Sequence, residues 1–163
     1  MGAEGAGLTA GRRRVAVERG RGGARVDGTV IVGRLTLPGT RRSVGYARSF
    51  VRETVPDLPA LDDLVMVASE TVANAITHTA SGREGGRVTV VLAAEPGIVR
   101  LEVVDDGAAP GRPRVRDESG GETGRGIRIV EAVADRWGFR TEGTRTVVWA
   151  EFPAPRGAGP GTR

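Results

Sequence analysis

The sequence contains no cysteine among its 163 residues. Disulfides and thiolate metal sites are therefore excluded, and such a chain suits a reducing, cytosolic compartment. Its single histidine, His78, excludes a metal centre made of several histidines. The chain also lacks any run of about 18 apolar residues, so no membrane-spanning helix is predicted. Since its first residues lack the apolar block of a secretory signal, we expect a cytoplasmic protein without membrane attachment.

Lysine is absent too, so all 24 basic residues are arginines. A Walker phosphate-binding loop, which ends in Gly-Lys-Ser/Thr, is therefore excluded. The net charge of +4 and the pI near 11.0 would suit nucleic-acid binding. However, residues 1–30 hold six arginines against three acids, residues 156–163 hold two against none, and residues 31–155 hold 16 against 17. The basic excess lies at the termini, so we predict no direct nucleic-acid binding by the folded part.

Composition divides the chain into three parts. Residues 1–29 and 154–163 are rich in Gly with Arg or Pro, and we predict that both are disordered tails. Residues 30–153 carry periodic apolar residues and are predicted to form one domain. Alternation predicts strands over 29–37, 87–94, 98–105, 137–141 and 146–152, and helical spacing predicts helices over 43–55, 61–79 and 126–135.

This order of elements predicts an α+β fold, a two-layer sandwich with helices over one face of a mainly antiparallel sheet. A loop rich in Gly, Pro and charge, residues 107–124, precedes the last helix. On that helix the spacing predicts a core-facing stripe of Ile127, Val130, Val133 and Ala134.

The long second helix carries the first polar motif. Glu70, Asn74 and His78 are spaced four and four, so they project from one face beside the apolar stripe. A carboxylate, an amide and an imidazole in this arrangement could hold a hydrated Mg²⁺ and a water or hydroxyl group, because Mg²⁺ prefers oxygen ligands and keeps several waters. The alternative is a polar helix edge with His78 favourable to the helix dipole.

Two further motifs follow along the chain. Asp105-Asp106-Gly107 ends a strand, where a carboxylate beside a glycine suits recognition of the amino group of a base, although an ordinary Asp-Gly turn has the same sequence. The segment GGETGRGI, residues 120–127, runs into the last helix. Glycines at a helix start leave N–H groups and the positive end of the dipole available for phosphates, and the alternative is a flexible capped loop.

In this order the three motifs resemble the N, G1 and G2 boxes of the GHKL superfamily of ATPases and kinases. The resemblance covers about residues 34–152 and is greatest to bacterial anti-sigma serine-protein kinases and related small ATP-binding proteins of actinomycetes. It is carried by Leu37-Pro38-Gly39, Ser69-Glu70, Asn74-Ala75-Ile76-Thr77-His78, Asp105-Asp106-Gly107, Gly124-Arg125-Gly126-Ile127-Arg128-Ile129-Val130, Asp135-Arg136-Trp137-Gly138 and Val148-Trp149-Ala150. It implies the Bergerat ATP-binding fold.

The resemblance also implies roles for individual residues. Asn74 would coordinate Mg²⁺ on the ATP phosphates, and Glu70 would be the catalytic base that takes the proton from an attacking Ser or Thr hydroxyl. Asp105 would bind the adenine amino group, with Gly107 leaving room for the ring. The phosphates would be bound by Thr123, Gly124, Arg125 and Gly126, with His78 in a supporting position near them.

The function implied by the resemblance is that of an ATP-binding anti-sigma regulator. Such a protein serine/threonine kinase phosphorylates an anti-anti-sigma (STAS-type) partner and sequesters a sigma factor. The alternative is a non-catalytic, nucleotide-sensing interaction module, which would be nearly indifferent to Glu70→Gln. A histidine autokinase is disfavoured because the one histidine lies inside the expected site. Members of the family often dimerise, so a homodimer is also an expectation.

Overall fold

The fold was obtained as a computed structural model that describes residues 29–108 and 122–156, together with short backbone segments at 9–10, 13–14, 16–18 and 25–26. The side chains of residues 122–125 lie outside this description, as do the predicted loop between 109 and 121 and the end of the chain from 157 onward. Within the part that is described, no helix is long and apolar enough to span a membrane.

Three α-helices form over the described residues. Their bounds are α1 Arg42–Thr54, α2 Leu61–His78 and α3 Glu122–Val133, and a short 3-10 helix, Ala80–Gly82, follows α2. The first turn of helix α2 contains two acidic residues, Asp62 and Asp63, and its last turn contains His78. The two carboxylates lie at the positive end of the helix dipole, so they stabilise the helix that carries the polar motif.

The strands in chain order are β1 Thr9–Ala10, β2 Arg13–Arg14, β3 Ala16–Glu18, β4 Arg25–Val26, β5 Thr29–Pro38, β6 Arg87–Glu95, β7 Ile98–Asp105, β8 Arg136–Glu142 and β9 Arg145–Pro153. Gly97 and Gly143 have positive φ of 82° and 61° in the turns between β6 and β7 and between β8 and β9. Glycine adopts this conformation without steric cost, so both tight turns can form.

One sheet contains seven of these strands in the order β3-β5-β6-β7-β9-β8, with β4 also paired to β5. All of its pairings are antiparallel. Strand β7 lies at its centre, between β6 and β9. Because Asp105 is the last residue of β7, the sheet places this carboxylate at the end of a strand that is hydrogen-bonded on both sides.

The core lies between the helices and one face of the sheet. It consists of fully or almost fully buried side chains from both layers, among them Leu35, Leu37, Val51, Leu64, Val72, Leu92, Leu101 and Phe152. Every second residue of β7 is buried, which is the period expected of a strand with one face covered. The predicted α+β architecture, with helices over one face of an antiparallel sheet, is therefore confirmed.

One detail differs from the sequence-based expectations. Helix α3 begins at Glu122 rather than at Gly126, and Ile127 is 44 % exposed, so its predicted inward position is wrong, whereas Val130 is buried as expected. The four short strands β1–β4 lie within residues 1–29, and β3 and β4 pair with β5. The boundaries of the tails and of the domain stay predictions.

Candidate functional site

A cavity of about 160 Å³ lies between α2, α3 and the sheet. Its wall combines residues from all three of the motifs with apolar residues from the strands. The lining consists of Thr71, Asn74, Ala75, His78, Thr79, Val103, Asp105, Gly126, Ile127, Val130, Trp137 and Val148. The fold therefore brings together residues that are up to 77 positions apart in the sequence, from Thr71 to Val148.

One wall of the cavity is the C-terminal half of α2. Asn74 and His78 both line it, one helical turn apart, and His78 is exposed whereas Asn74 is half-buried. Glu70 is half-buried on the preceding turn and is not among the described lining residues. The spacing of four places it about 6 Å along the helix axis from Asn74. The structure thus separates the predicted metal ligand, at the cavity wall, from the predicted base beside it.

The opposite wall holds Asp105, whose side chain is buried with 6 % exposure. Its Oδ1 atom accepts a hydrogen bond of 2.6 Å from the backbone N–H of Gly107. Gly107 itself is buried and has φ +82°, and a Cβ atom there would lie 1.7 Å from the backbone oxygen of Thr144. Only glycine satisfies both conditions, so Gly107 holds the strand end in the shape that orients the carboxylate.

The interior of the cavity between these walls is largely apolar. Val103 and Val148 contribute from neighbouring strands, Val130 from α3 and Trp137 from β8. An apolar slot with one buried carboxylate at its end is the arrangement expected for a flat heterocycle that donates a hydrogen bond. Ile127, exposed relative to the core, lines this same cavity, which explains why an apolar residue is found there.

Helix α3 closes the third side. A Cβ atom at Gly126 would lie 2.7 Å from Nδ2 of Asn74, so the two helices meet closely at these residues. Thr123, Gly124 and Arg125 lie in the first turn of α3, although the side chains of Thr123 and Arg125 are outside the description. The first N–H groups of a helix have no intrahelical acceptor, so this end of α3 can donate to an anion near Asn74.

Several lining residues were not identified from the sequence. Val103 is two residues before Asp105 on the same strand, and the two-residue period of a strand would have placed it beside the carboxylate. Trp137 and Val148 could be assigned to the cavity only from the order of the strands in the sheet. Thr71 is buried, and its hydroxyl donates to the carbonyl of Val67 at 2.7 Å, so the helix itself satisfies this donor. In the sequence it had no signal of its own.

The donor set fits a nucleotide better than a bare metal ion. Within the described residues, no group of three or more His, Cys, Asp or Glu side chains could hold a metal. Asn74 offers one amide oxygen, and Mg²⁺ bound to phosphates takes only one or two protein ligands with water completing its shell. A Mg²⁺ at Asn74 would therefore depend on phosphate oxygens delivered with the nucleotide.

A second cavity, of about 480 Å³, lies on the face of the sheet away from the helices. Part of its charged lining is internally paired: Glu102 accepts hydrogen bonds from Arg140 at 3.0 and 3.1 Å and from Arg100 at 3.1 Å. The hydrogen bond to Glu102 raises the pKa of Arg140 above its usual value. This larger cavity contains none of the predicted site residues, so the smaller cavity is the candidate site.

Two known proteins are similar to parts of this chain. A segment of 59 residues, 36 % of the chain, is 41 % identical to the anti-sigma F factor of Clostridium acetobutylicum and covers 41 % of that protein. The chain thus spans less than half the length of this curated relative. The solved structure of the RsbU and RsbW domains of Rv1364c from Mycobacterium tuberculosis has a similar fold, with a TM-score of 0.57 at 21 % identity. That match covers 75 % of this chain and 32 % of the other.

The family match is more extensive than either pairwise comparison. The histidine kinase-like ATPase domain matches residues 37–152, which include α2, the end of β7, α3 and every residue that lines the candidate cavity. The chain belongs to the family of histidine kinase-like ATPase domains.

Proposed function

We propose that this chain binds ATP and Mg²⁺ in the cavity between α2, α3 and the sheet, and acts as an anti-sigma-type protein serine/threonine kinase. The single observation that supports this most is the convergence of Asp105, Asn74 and Gly126 on one largely apolar cavity. These residues come from three different elements, and each would serve a different part of a nucleotide. Asp105 would contact the base, Asn74 would bind the metal ion on the phosphates, and Gly126 allows the start of α3 to lie close to them.

Base recognition rests on Asp105. A buried carboxylate accepts hydrogen bonds and cannot donate them while ionised, so it pairs with the exocyclic amino group of adenine. Guanine presents a carbonyl oxygen at the same position, and two acceptors repel each other. The preference for adenine over guanine should therefore be large, because a mismatched buried polar group keeps its full desolvation cost.

Phosphate binding rests on Asn74 and the start of α3. The amide oxygen of Asn74 is the ligand offered to Mg²⁺, which neutralises phosphate charge when it is bound. Gly126 lets α3 approach Asn74. The N-terminal N–H groups of the helix and a Mg²⁺ bound by Asn74 would therefore contact the same phosphates. The resemblance assigns Thr123, Gly124 and Arg125 to the same task, with His78 at the edge of the cavity.

Phosphotransfer would use Glu70 as the general base. Its carboxylate takes the proton from a partner's Ser or Thr hydroxyl as the hydroxyl oxygen attacks the γ-phosphorus and the bond to ADP breaks. Most of the acceleration in such reactions comes from positioning and charge neutralisation. Glu70 lies on the rigid helix that carries Asn74, which would hold the base at a constant distance from the metal.

The partners are proposed from the comparisons. One relative is named an anti-sigma F factor, and the similar solved structure contains an RsbW domain. These names support a regulator that sequesters a sigma factor and phosphorylates a STAS-type anti-anti-sigma protein. A homodimer and a cytoplasmic location belong to the same proposal.

A second candidate function is a non-catalytic module that binds nucleotide and partner without phosphotransfer. It is favoured by one observation, namely that Glu70 stands beside the cavity rather than among its described lining residues. Both candidates require the same nucleotide site, so they differ only in whether removal of the Glu70 carboxylate changes any rate.

The proposal is tested first by thermal unfolding of the purified protein without ligand, with ATP and Mg²⁺, and with ATP and EDTA. Nucleotide at about 100 times its Kd should stabilise the native state by roughly 2.7 kcal/mol and raise Tm by a few degrees. Asn74→Ala should lose the Mg²⁺-dependent part and Asp105→Asn most of the shift. A matched control is Glu102→Gln, which changes a carboxylate on the other face of the sheet and should keep the full shift.

The absence of any shift with ATP at millimolar concentration would refute nucleotide binding and both candidate functions with it. If the shift is present, incubation with a STAS-type protein and labelled ATP tests transfer. Label on a Ser or Thr of that protein supports the kinase, whereas its absence with binding intact favours the non-catalytic module.

A further inference from the structure

The short 3-10 helix Ala80–Gly82 connects the end of α2 to the start of β6, and its central residue is Ser81. The Ser81 side chain is fully buried, with 0 % exposure. Its Oγ donates a hydrogen bond of 2.6 Å to the backbone oxygen of Arg87 and accepts one of 2.9 Å from the backbone N–H of Asp106. One hydroxyl therefore joins the turn after α2 to the start of β6 and to the end of β7.

Two further hydrogen bonds strengthen the same junction. The backbone N–H of Ala80 donates to the oxygen of Gly107 at 2.9 Å, and Oδ2 of Asp106 accepts from the N–H of Arg87 at 2.7 Å. The residues on the C-terminal side of Asp105 are thus held by the turn that follows α2. Asp105 and Gly107 belong to the candidate site, whereas Ser81 is not among the described residues that line the cavity.

The turn itself has little room to move. A Cβ atom at Gly39 or Gly86 would lie 1.6 or 2.2 Å from the backbone oxygen of Ser81, and one at Gly82 would lie 1.9 Å from the oxygen of Ile76. Backbone segments therefore contact the turn directly on several sides. Because close-packed backbone transmits displacement rather than absorbing it, a shift of Ser81 would be passed on to the end of β7.

We propose that Ser81 is a positioning residue of the nucleotide site, which sets the adenine-recognising carboxylate of Asp105 at a constant distance from Asn74. This inference rests on the proposed ATP-binding function. One nucleotide has to satisfy the base contact on β7 and the metal ligand on α2 at the same time. A junction that fixes these two elements to each other improves both contacts, because less ordering is left to occur on binding.

The direct test is Ser81→Ala. The variant leaves the N–H of Asp106 and the carbonyl of Arg87 without their partner, next to Asp105 and Gly107 in the chain. We expect affinity for ATP to fall about tenfold, the change that corresponds to one hydrogen bond's contribution if the displacement of Asp105 weakens its contact with the base. The preference for ATP over GTP should fall as well, since guanine binding gains nothing from a well-placed Asp105. A purely structural role would lower stability without changing that preference.

Ser43→Ala is the matched control. Ser43 is also a serine with 0 % exposure, and its Oγ also donates to a strand carbonyl, that of Pro38 at 2.5 Å. Its side-chain hydrogen bonds go to Pro38 and Thr40 rather than to residues 105–107, and it is not among the described residues that line the cavity. Both variants should lose comparable stability in urea titrations, and only Ser81→Ala should lose nucleotide affinity and base preference. Affinities are measured by calorimetry with Mg²⁺ salts of ATP and GTP, at a temperature where both variants are folded.

The outcomes separate the inference from the function on which it rests. Failure of the unmodified protein to bind ATP overturns the proposed function. Normal binding by the unmodified protein with unchanged ATP affinity and base preference in Ser81→Ala overturns the role of Ser81 alone. An equal loss of affinity in Ser43→Ala also overturns it, because the effect would then be general.

If Ser81→Ala does not fold, Asp106→Ala tests the same junction from its other side. It removes the half-exposed acceptor of the Arg87 N–H and leaves the Ser81 hydroxyl in place. We expect a smaller fall in ATP affinity, about threefold, with a reduced preference over GTP. Unchanged values in this variant would overturn the inference.

Discussion

Gly126 and Asn74 lie so close that a side chain on α3 at this point would require the Asn74 amide to move: a Cβ atom would lie 2.7 Å from Nδ2 of the asparagine. The glycine is in a helix, where alanine is normally preferred by up to about 1 kcal/mol. The glycine therefore lowers the intrinsic stability of α3 at the place where the helix meets Asn74, the proposed metal ligand.

Gly126→Ala should consequently weaken binding of Mg²⁺·ATP by about tenfold or more, because the methyl group displaces either the Asn74 amide or the start of α3. Gly45→Ala is the control, since Gly45 is also helical and a Cβ atom there would have no neighbour within 4 Å. That variant should gain up to about 1 kcal/mol in stability and bind ATP normally. Calorimetric titration with Mg²⁺·ATP, beside urea unfolding, measures both quantities. Normal affinity in Gly126→Ala would contradict this prediction and would mean that the Asn74 amide moves aside without loss of binding.

Glu70→Gln separates the two candidate functions. The amide keeps the shape of the side chain but cannot take a proton, and general bases contribute about 10²- to 10⁴-fold to rates. Phosphotransfer to a STAS-type protein should fall at least about 100-fold, while the Tm shift produced by Mg²⁺·ATP remains. Equal transfer rates for Glu70→Gln and the unmodified protein would remove Glu70 from the mechanism.

Gly107→Ala should destabilise the fold by about 3 kcal/mol or more, as strain from the positive φ adds to the clash with the oxygen of Thr144. Gly85 provides the comparison, because it has φ +76° but a Cβ atom there would have no neighbour within 4 Å. Gly85→Ala should cost only about 1 kcal/mol. Urea unfolding of both variants tests the difference, and equal costs would mean that the strand end shifts to admit the methyl group.

Arg100→Ala tests the paired charges on the open face of the sheet. Arg100 donates to Glu151, a residue with 6 % exposure, at 3.0 Å and to Glu102 at 3.1 Å, and it stacks on Trp149 at 4.3 Å from the ring centroid. Its loss leaves a buried carboxylate poorly compensated and should cost about 2–3 kcal/mol of unfolding free energy.

Arg136→Ala is the control for this face. The Arg136 side chain is 70 % exposed and lies 3.7 Å from Glu151, so its removal should change stability by no more than about 0.5 kcal/mol. Both variants should bind ATP like the unmodified protein, since this face contains no residue of the candidate cavity. A loss of ATP binding in Arg100→Ala with the fold intact would contradict the separation of the two faces.

Much of the fold could be predicted because the periodic segments are long and bounded by turn residues. The predicted strand 98–105 coincides with β7, and the second helix differs from prediction by one residue at its end. Helix α3 was the exception. Its first turn, Glu122 to Arg125, contains one glycine and follows two more, so local composition indicated a loop where the chain is helical.

The polar members of the site could be predicted for a similar reason: helical spacing aligns Asn74 with His78, and a strand end isolates Asp105. The apolar members could not. Trp137 and Val148 reach the cavity only because β8 and β9 are neighbours beyond β7, and this order depends on the whole sheet. Ile127 was expected in the core because a cavity wall and a core require the same apolar periodicity. Ser81 has no pattern in the sequence and acquires importance only from hydrogen bonds to distant backbone.

The central position of β7 determines which parts of the candidate site unfold locally and which do not. Amide hydrogen exchange is slowest in strands that are bonded on both sides, whereas outer strands and helix ends exchange through local unfolding of low free energy. We expect the segment that ends at Asp105 to be among the last to exchange and the first turn of α3 among the earliest. A bound nucleotide would then have its base at the slowly exchanging end of β7 and its phosphates at the first turn of α3, which unfolds locally more often. Release would start from the phosphate end.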